Sequence, residues 1–200
     1  MKENRIPVIT INREYGAGGR SLAAILSEKL GIPYYDRDFV SKTVEESGFD
    51  EEDVEREGEE LSRSSKVIRD LFNTTVSYMS SHDAIFEAEK KLILKLAAEP
   101  CIIVGRCADR ILAGSGIDCI SIYLHAPLKI RLRRAEELPE KGTVQAEKFI
   151  EKRDSQRRTF YKQYTGCDIS DAANYTFCFD TGKISIASCA EMVLAFLKED

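Results

Sequence analysis

The chain has 200 residues, 43% of them hydrophobic, with a formal net charge of −5. That length suits one domain with room for an inserted subregion, and the acidic total argues against general nucleic-acid binding. No apolar run is long enough to cross a bilayer, and two histidines with no C-x-x-C pair among six cysteines argue against a zinc site.

Ile6–Ile11 (IPVITI) is β-branched, short and bounded by a polar turn, which predicts a buried strand. A glycine-rich turn follows, then Arg20–Leu30 with apolar residues at helical spacing, stopped by Gly31. Ile32–Tyr35 is a short second strand, and Phe39 to about Ser47 is predicted helical. Residues 45–60 hold ten acids and one base, which reads as a solvated or inserted segment running on to about Ser65. Residues 66–80 and 82–98 are predicted helices, the second with Ile85, Ala88, Leu92 and Leu96 along one face and Pro100 beyond it. Cys101–Val104 and Cys119–Leu124 are apolar strands. Pro127 opens a basic helix to about Glu137, Pro139–Gly142 breaks it, and a long helix runs from about Val144 to Tyr164. Tyr175–Asp180 is a last strand and Ser185–Lys198 a closing helix.

Strands alternating with helices predict an α/β fold: an open, doubly wound, parallel five-stranded sheet with helices on both faces. Ligands of such sheets sit beyond the C-terminal strand ends, where Asn12–Arg20, Asp36–Arg37 and Gly105–Asp109 fall. The expected organisation is one domain over 1–200, with a helical insertion at 38–98 and a basic helix and lid at 128–166. Residues 128–163 hold eleven bases and six acids, a local basic stretch suited to a small polyanion. The cysteines read as reduced thiols, mostly small core residues, with a redox role for Cys107, beside the candidate site, as the alternative. The N-terminus lacks the apolar run and cleavage site of a secretory signal, so a cytoplasmic protein is expected, without nucleic-acid or membrane partners and with a homodimer left open.

The turn I-N-R-E-Y-G-A-G-G-R-S carries the chemistry. Gly16, Gly18 and Gly19, with Ala17 between them, let successive N–H groups point at a phosphate, helped by the positive end of the following helix. Ser21 is in register to reach a magnesium ion. The strict pattern G-x-x-x-x-G-K-[ST] is not met. Aligned on G-R-S, Glu14 replaces its first glycine and Arg20 its lysine; aligned on G-A-G, Arg13 replaces the glycine and Gly19 the lysine. The cation must then come from Arg20 or Arg13, and arginine grips phosphate in fork geometry. Two further pairs lie on helix faces: Arg131 with Arg134, three apart, and Arg153 with Arg157, four apart. Phosphoryl transfer needs such cations around the moving charge and little covalent help.

This loop, Y-Y-D-R (Tyr34–Arg37), I-V-G-R-C-A-D (Ile103–Asp109), I-Y-L-H-A-P (Ile122–Pro127) and E-K-R-D-S-Q-R-R-T-F-Y-K-Q-Y-T-G (Glu151–Gly166) come in one order. Together they resemble the cytidylate-kinase-like family, nearly end to end. The resemblance implies a P-loop kinase fold and transfer of the γ-phosphoryl of ATP, with Mg2+, to a nucleoside monophosphate such as CMP or dCMP. It implies a phosphate loop at Arg13–Ser21 and an acceptor pocket starting at Asp36 and Arg37. Arg106 matches the arginine of the family's G-R-D motif, with Asp109 as a stand-in for the lost neighbouring acid. Arg131 and Arg134 lead into the lid, and Arg153, Asp154 and Arg157 match its R-D-x-x-x-R register. On this reading Arg20, Arg153, Arg157 and Arg131 are catalytic, and Arg134 helps hold the donor. The alternative is a non-catalytic nucleotide or anion sensor on the same scaffold.

Overall fold

The computed structural model describes residues 6–36, 81–136 and 146–199. Arg37, the helices predicted at 39–47 and 66–80, the acidic 45–60 segment and the break at 139–142 lie outside the described residues.

In chain order the elements are β1 (Val8–Arg13), α1 (Gly19–Leu30), β2 (Tyr34–Tyr35), α2 (Ser81–Leu96), β3 (Ile102–Val104), α3 (Ala108–Gly114), β4 (Cys119–His125), α4 (Leu128–Glu136), α5 (Ala146–Thr165), a short 3-10 turn (Ala172–Asn174), β5 (Phe177–Asp180) and α6 (Ile186–Glu199). The strands form one parallel sheet ordered β2-β3-β1-β4-β5 among the described residues. Pairing of Ile11 with Val104 and of Arg13 with Leu124 brings the C-terminal ends of β1, β3 and β4 together.

Strand residues are buried on both faces, which is why the strands read as unbroken apolar runs rather than alternating ones. One face carries Ile9, Ile11, Ile102, Ile122 and Leu124 under Leu22 and Leu26 of α1 and Cys189 and Val193 of α6. The other carries Val8, Ile103 and Tyr123 under Leu92 and Ile93 of α2, Ile111 and Leu112 of α3, and Tyr161 of α5. A smaller cluster of Tyr15 and Ile150, with Leu128, Leu132 and Phe149 beside it, joins α4 and α5 to the loop after β1.

Helix ends follow local chemistry. Gly31 terminates α1 in the left-handed region (φ 66°), its N–H donating to the Ser27 carbonyl at 2.9 Å. Asp171 caps the 3-10 turn by accepting from the Ala173 N–H at 3.0 Å. Two expectations change. The stripe on α2 that enters the core is Ile85, Glu89, Leu92 and Ile93, whereas Ala88 and Leu96 are half-buried. Cys178, expected inside, is exposed, because it occupies the outward register position of the edge strand β5.

Candidate functional site

The loop between β1 and α1 is a backbone cradle. Gly16 and Gly18 adopt positive φ (77° and 92°), and Gly18 leads directly into the first turn of α1. A side chain at Gly18 would be strained, and its Cβ would collide with the Ile186 side chain at the start of α6. No acid sits in the first turn of α1, so its N–H groups face the cradle without competing negative charge of their own.

Arg13 ends β1, and its guanidinium lies over Gly105, where any side chain would collide with Nη1. Gly105 is itself at φ 85° and donates its N–H to the Ile11 carbonyl at 3.0 Å, so the turn after β3 hugs the end of β1. Three other guanidiniums, those of Arg157, Arg20 and Arg106, act on Arg13, opposed by the Asp36 carboxylate at 3.7 Å. Burial first and this repulsion second lower the Arg13 pKa to about 9. Asp36 also takes an ion pair from Arg20 Nε on the half-exposed first turn of α1. Burial likewise lowers Arg157, which donates to the Arg13 carbonyl at 3.5 Å and lies 5.3 Å over the Tyr15 ring. Arg153 sits one turn away, 5.1 Å over Phe149. These positions follow from β1, β2, β3 and α5 all delivering their residues to one edge of the sheet.

Other expected site residues are placed differently. Arg131 is 8% exposed and spends its donors internally: on the Ala126 carbonyl at 2.9 Å, the Tyr15 carbonyl at 3.3 Å, Glu14 Oε2 at 3.2 Å and Asp154 Oδ2 at 2.5 Å. In this arrangement it braces the loop after β1 against α5. Asp154, expected at the substrate, accepts from the Tyr15 N–H at 2.6 Å as well and ties α5 to the loop. Arg134 braces the loop from outside, donating to Thr181 Oγ1 at 3.0 Å, the Thr181 carbonyl at 2.8 Å and the Gly16 carbonyl at 3.4 Å. Asp109, expected beside the acceptor, is buried, accepting from Asn12 Nδ2 at 2.9 Å and the Tyr161 hydroxyl at 2.6 Å. Burial raises its pKa while those two bonds pull it down. Cys107 is buried, and burial next to Asp109 and Glu89 pushes its thiol up, the opposite of what a reactive thiolate requires.

Three residues given no side-chain role from the sequence also shape the loop and its surroundings. Glu14 accepts from the Ala126 N–H at 3.1 Å, and Thr181 donates to the Ala17 carbonyl at 2.9 Å, so both shape the cradle. Glu89 is 1% exposed beside Arg106, its Oε1 3.1 Å from Nη1. Its one sequence signal is an acid four residues from both Ile85 and Ile93 on the inner face of a helix.

The cradle and its cations fit a polyanion. For a metal ion, no group of three His, Cys, Asp or Glu side chains is gathered among the described residues. Magnesium in phosphoryl transfer needs only one or two protein ligands besides phosphate and water, a demand that Ser21, exposed on the first turn of α1, fits.

A parallel sheet in the order 2-3-1-4-5, with a glycine loop between β1 and α1, is the fold of the P-loop kinases. The sequence profile of the cytidylate kinase-like family matches residues 8–183. A cytidylate kinase from Methanopyrus kandleri is 25% identical over 185 residues, 89% of this chain and 86% of that protein. Among solved structures, an uncharacterized protein from Eubacterium ventriosum superposes with a TM-score of 0.71 at 21% identity, covering 97% of this chain and 99% of its own. A shikimate kinase from Bacteroides thetaiotaomicron shares the fold at TM-score 0.53 and 16% identity, covering 96% and 98%. The chain belongs to the cytidylate kinase-like family. Family and fold together make it a kinase of nucleotides or other small molecules.

Proposed function

We propose that this protein transfers the γ-phosphoryl group of ATP to a nucleoside monophosphate, with CMP or dCMP the first candidates. The observation that carries the reading is the gathering of four guanidiniums at the ends of β1 and β3, those of Arg13, Arg20, Arg106 and Arg157, against three described carboxylates paired with them, Asp36, Glu89 and Asp154. Holding like charges together in a buried place is unfavourable unless an anion arrives to join them.

Each group has a part in this reading. The N–H groups of Gly16–Gly19 and the start of α1 receive the donor phosphates, and Arg13, not Arg20, stands in for the usual lysine because its side chain packs against Gly19 of the loop and is less exposed than that of Arg20. Magnesium, when bound, draws phosphate charge and orients the donor; Ser21 would hold it. Arg157, with Arg153 one turn away, stabilises charge that develops during transfer. Asp36 and Arg106 face the acceptor, and Asp36 yields its hold on Arg20 when an anion competes for it. The weak curated likeness to a cytidylate kinase supports CMP as the first acceptor to try.

The test is ADP release from Mg·ATP with a panel of nucleoside monophosphates. Release that depends on CMP or dCMP is expected. No release with any of them, alongside a thermal shift with ATP, would replace this reading with a different acceptor or with the sensor.

A further inference from the structure

Glu89 occupies a core position of α2, between Ile85 at 7% and Ile93 at 0% exposure. Neither of its carboxylate oxygens accepts a hydrogen bond. Arg106 Nη1 is 3.1 Å from Oε1, near enough to pair by charge yet off line for a hydrogen bond. A buried carboxylate held this way costs stability, and a glutamine or an apolar side chain would cost less. A second cost lies beside it: Arg106 and Cys107 both take left-handed backbone angles (φ 57° and 56°) without being glycine. Such costs gather where a fold gives up stability for placement.

What they place is the Arg106 guanidinium. Glu89 closes its inner side, the Phe160 ring lies 5.8 Å from it, and the side chain stays 24% exposed while that of Glu89 is 1% exposed. The pair thus has a dry anchor and a wet head, and the head lies within electrostatic reach of Arg13. Because Glu89 takes no aligned hydrogen bond from the guanidinium among the described residues, N–H donors of Arg106 on its exposed side remain open to a ligand.

We infer that Glu89 is a positioning residue, which sets affinity for the anionic acceptor by holding Arg106 in place from behind through charge alone. The inference rests on the reading of Arg106 as an acceptor contact.

The test compares wild type with Glu89→Gln, which keeps shape and removes charge. In the substrate-free protein, NMR of the Arg106 guanidinium, assigned with Arg106→Lys, should show hindered rotation in wild type and faster rotation in the variant. With CMP as acceptor, KM for CMP should rise about tenfold, with kcat and KM for ATP changed less than about twofold. The Tm should not fall. In an Arg106→Lys background the same substitution should add nothing to KM. Glu89→Asp, which keeps the charge but withdraws it, should fall between the two. Equal rotation in both proteins, an unchanged KM, or a lowered Tm as the only effect would overturn the inference. If wild type transfers nothing to CMP or any other nucleoside monophosphate, the proposed function fails, while the rotation comparison still decides whether Glu89 holds Arg106.

Discussion

Two buried acid–arginine pairs flank the phosphate cradle, and they are built on opposite principles. Asp154 and Arg131 are joined by a 2.5 Å hydrogen bond, and each also bonds the backbone of Tyr15. Glu89 and Arg106 are equally removed from water at the acid end but share no aligned hydrogen bond. The first pair has its donors and acceptors satisfied and so serves architecture, locking α4 and α5 to the loop. The second leaves the guanidinium unsatisfied and so suits a ligand. Residue type and burial alone do not separate the two; hydrogen-bond accounting does.

Breaking the satisfied pair should have the largest effect on folding. Asp154→Ala takes a carboxylate partner from Arg131, which keeps Glu14 at 3.2 Å, and the acceptor from the Tyr15 N–H, and should cost about 1–3 kcal/mol, read as a lowered midpoint in urea unfolding. In contrast, Arg13→Ala should leave stability unchanged or improved, since it removes a buried, crowded charge, while turnover drops about a hundredfold or more. Arg20→Ala and Arg153→Ala should likewise cut turnover far more than stability. Loss of stability without loss of turnover in these three would erase the distinction between bracing and ligand-facing arginines. Gly105→Ala should weaken ATP binding by displacing Arg13, a change measurable as a raised KM for ATP with a smaller effect on KM for CMP.

A pH series sharpens the comparison further. Burial raises the Glu89 carboxyl above its ordinary range, against the pull of Arg106. The folded protein therefore keeps a proton there at a pH where the unfolded chain has released it, and stability is lost as pH rises through that window. Cys107 and Tyr164, the other titratable groups facing it, are both pushed up and stay neutral there. The Tm advantage of Glu89→Gln over wild type should be near zero around pH 4 and grow toward neutrality. The smallest expected effect is chemical: iodoacetamide should label exposed Cys178 first and leave buried Cys107 untouched in the native protein, as peptide mass mapping would show.

Much of this arrangement was legible in the sequence. Strands covered on both faces are continuous apolar runs, and glycine at positions 16, 18 and 105 marks where the backbone must turn tightly. The short helix α3 was hidden because seven residues hold too little periodicity to separate from a strand-end loop. Glu89 was hidden for another reason. The apolar spacing of α2 fits a stripe through Ala88 as well as one through Glu89, and charge argued for the wrong one. Spacing also gave Arg131/Arg134 and Arg153/Arg157 similar standing, yet one pair is spent on carbonyls and carboxylates of the fold. A guanidinium's destination depends on acceptors brought from distant parts of the chain, which local pattern does not encode.

The phosphate cradle is synthesised long before the residues that complete it. Its inner wall at Gly18 is Ile186, and Ala17 is held by Thr181, which Arg134 grips in turn. On a ribosome, residues 13–21 emerge with none of these partners. The growing chain therefore lacks a finished nucleotide-binding loop until the segment around residue 186 is released, so an incomplete product would expose the cradle's glycines without being able to hold a nucleotide in it.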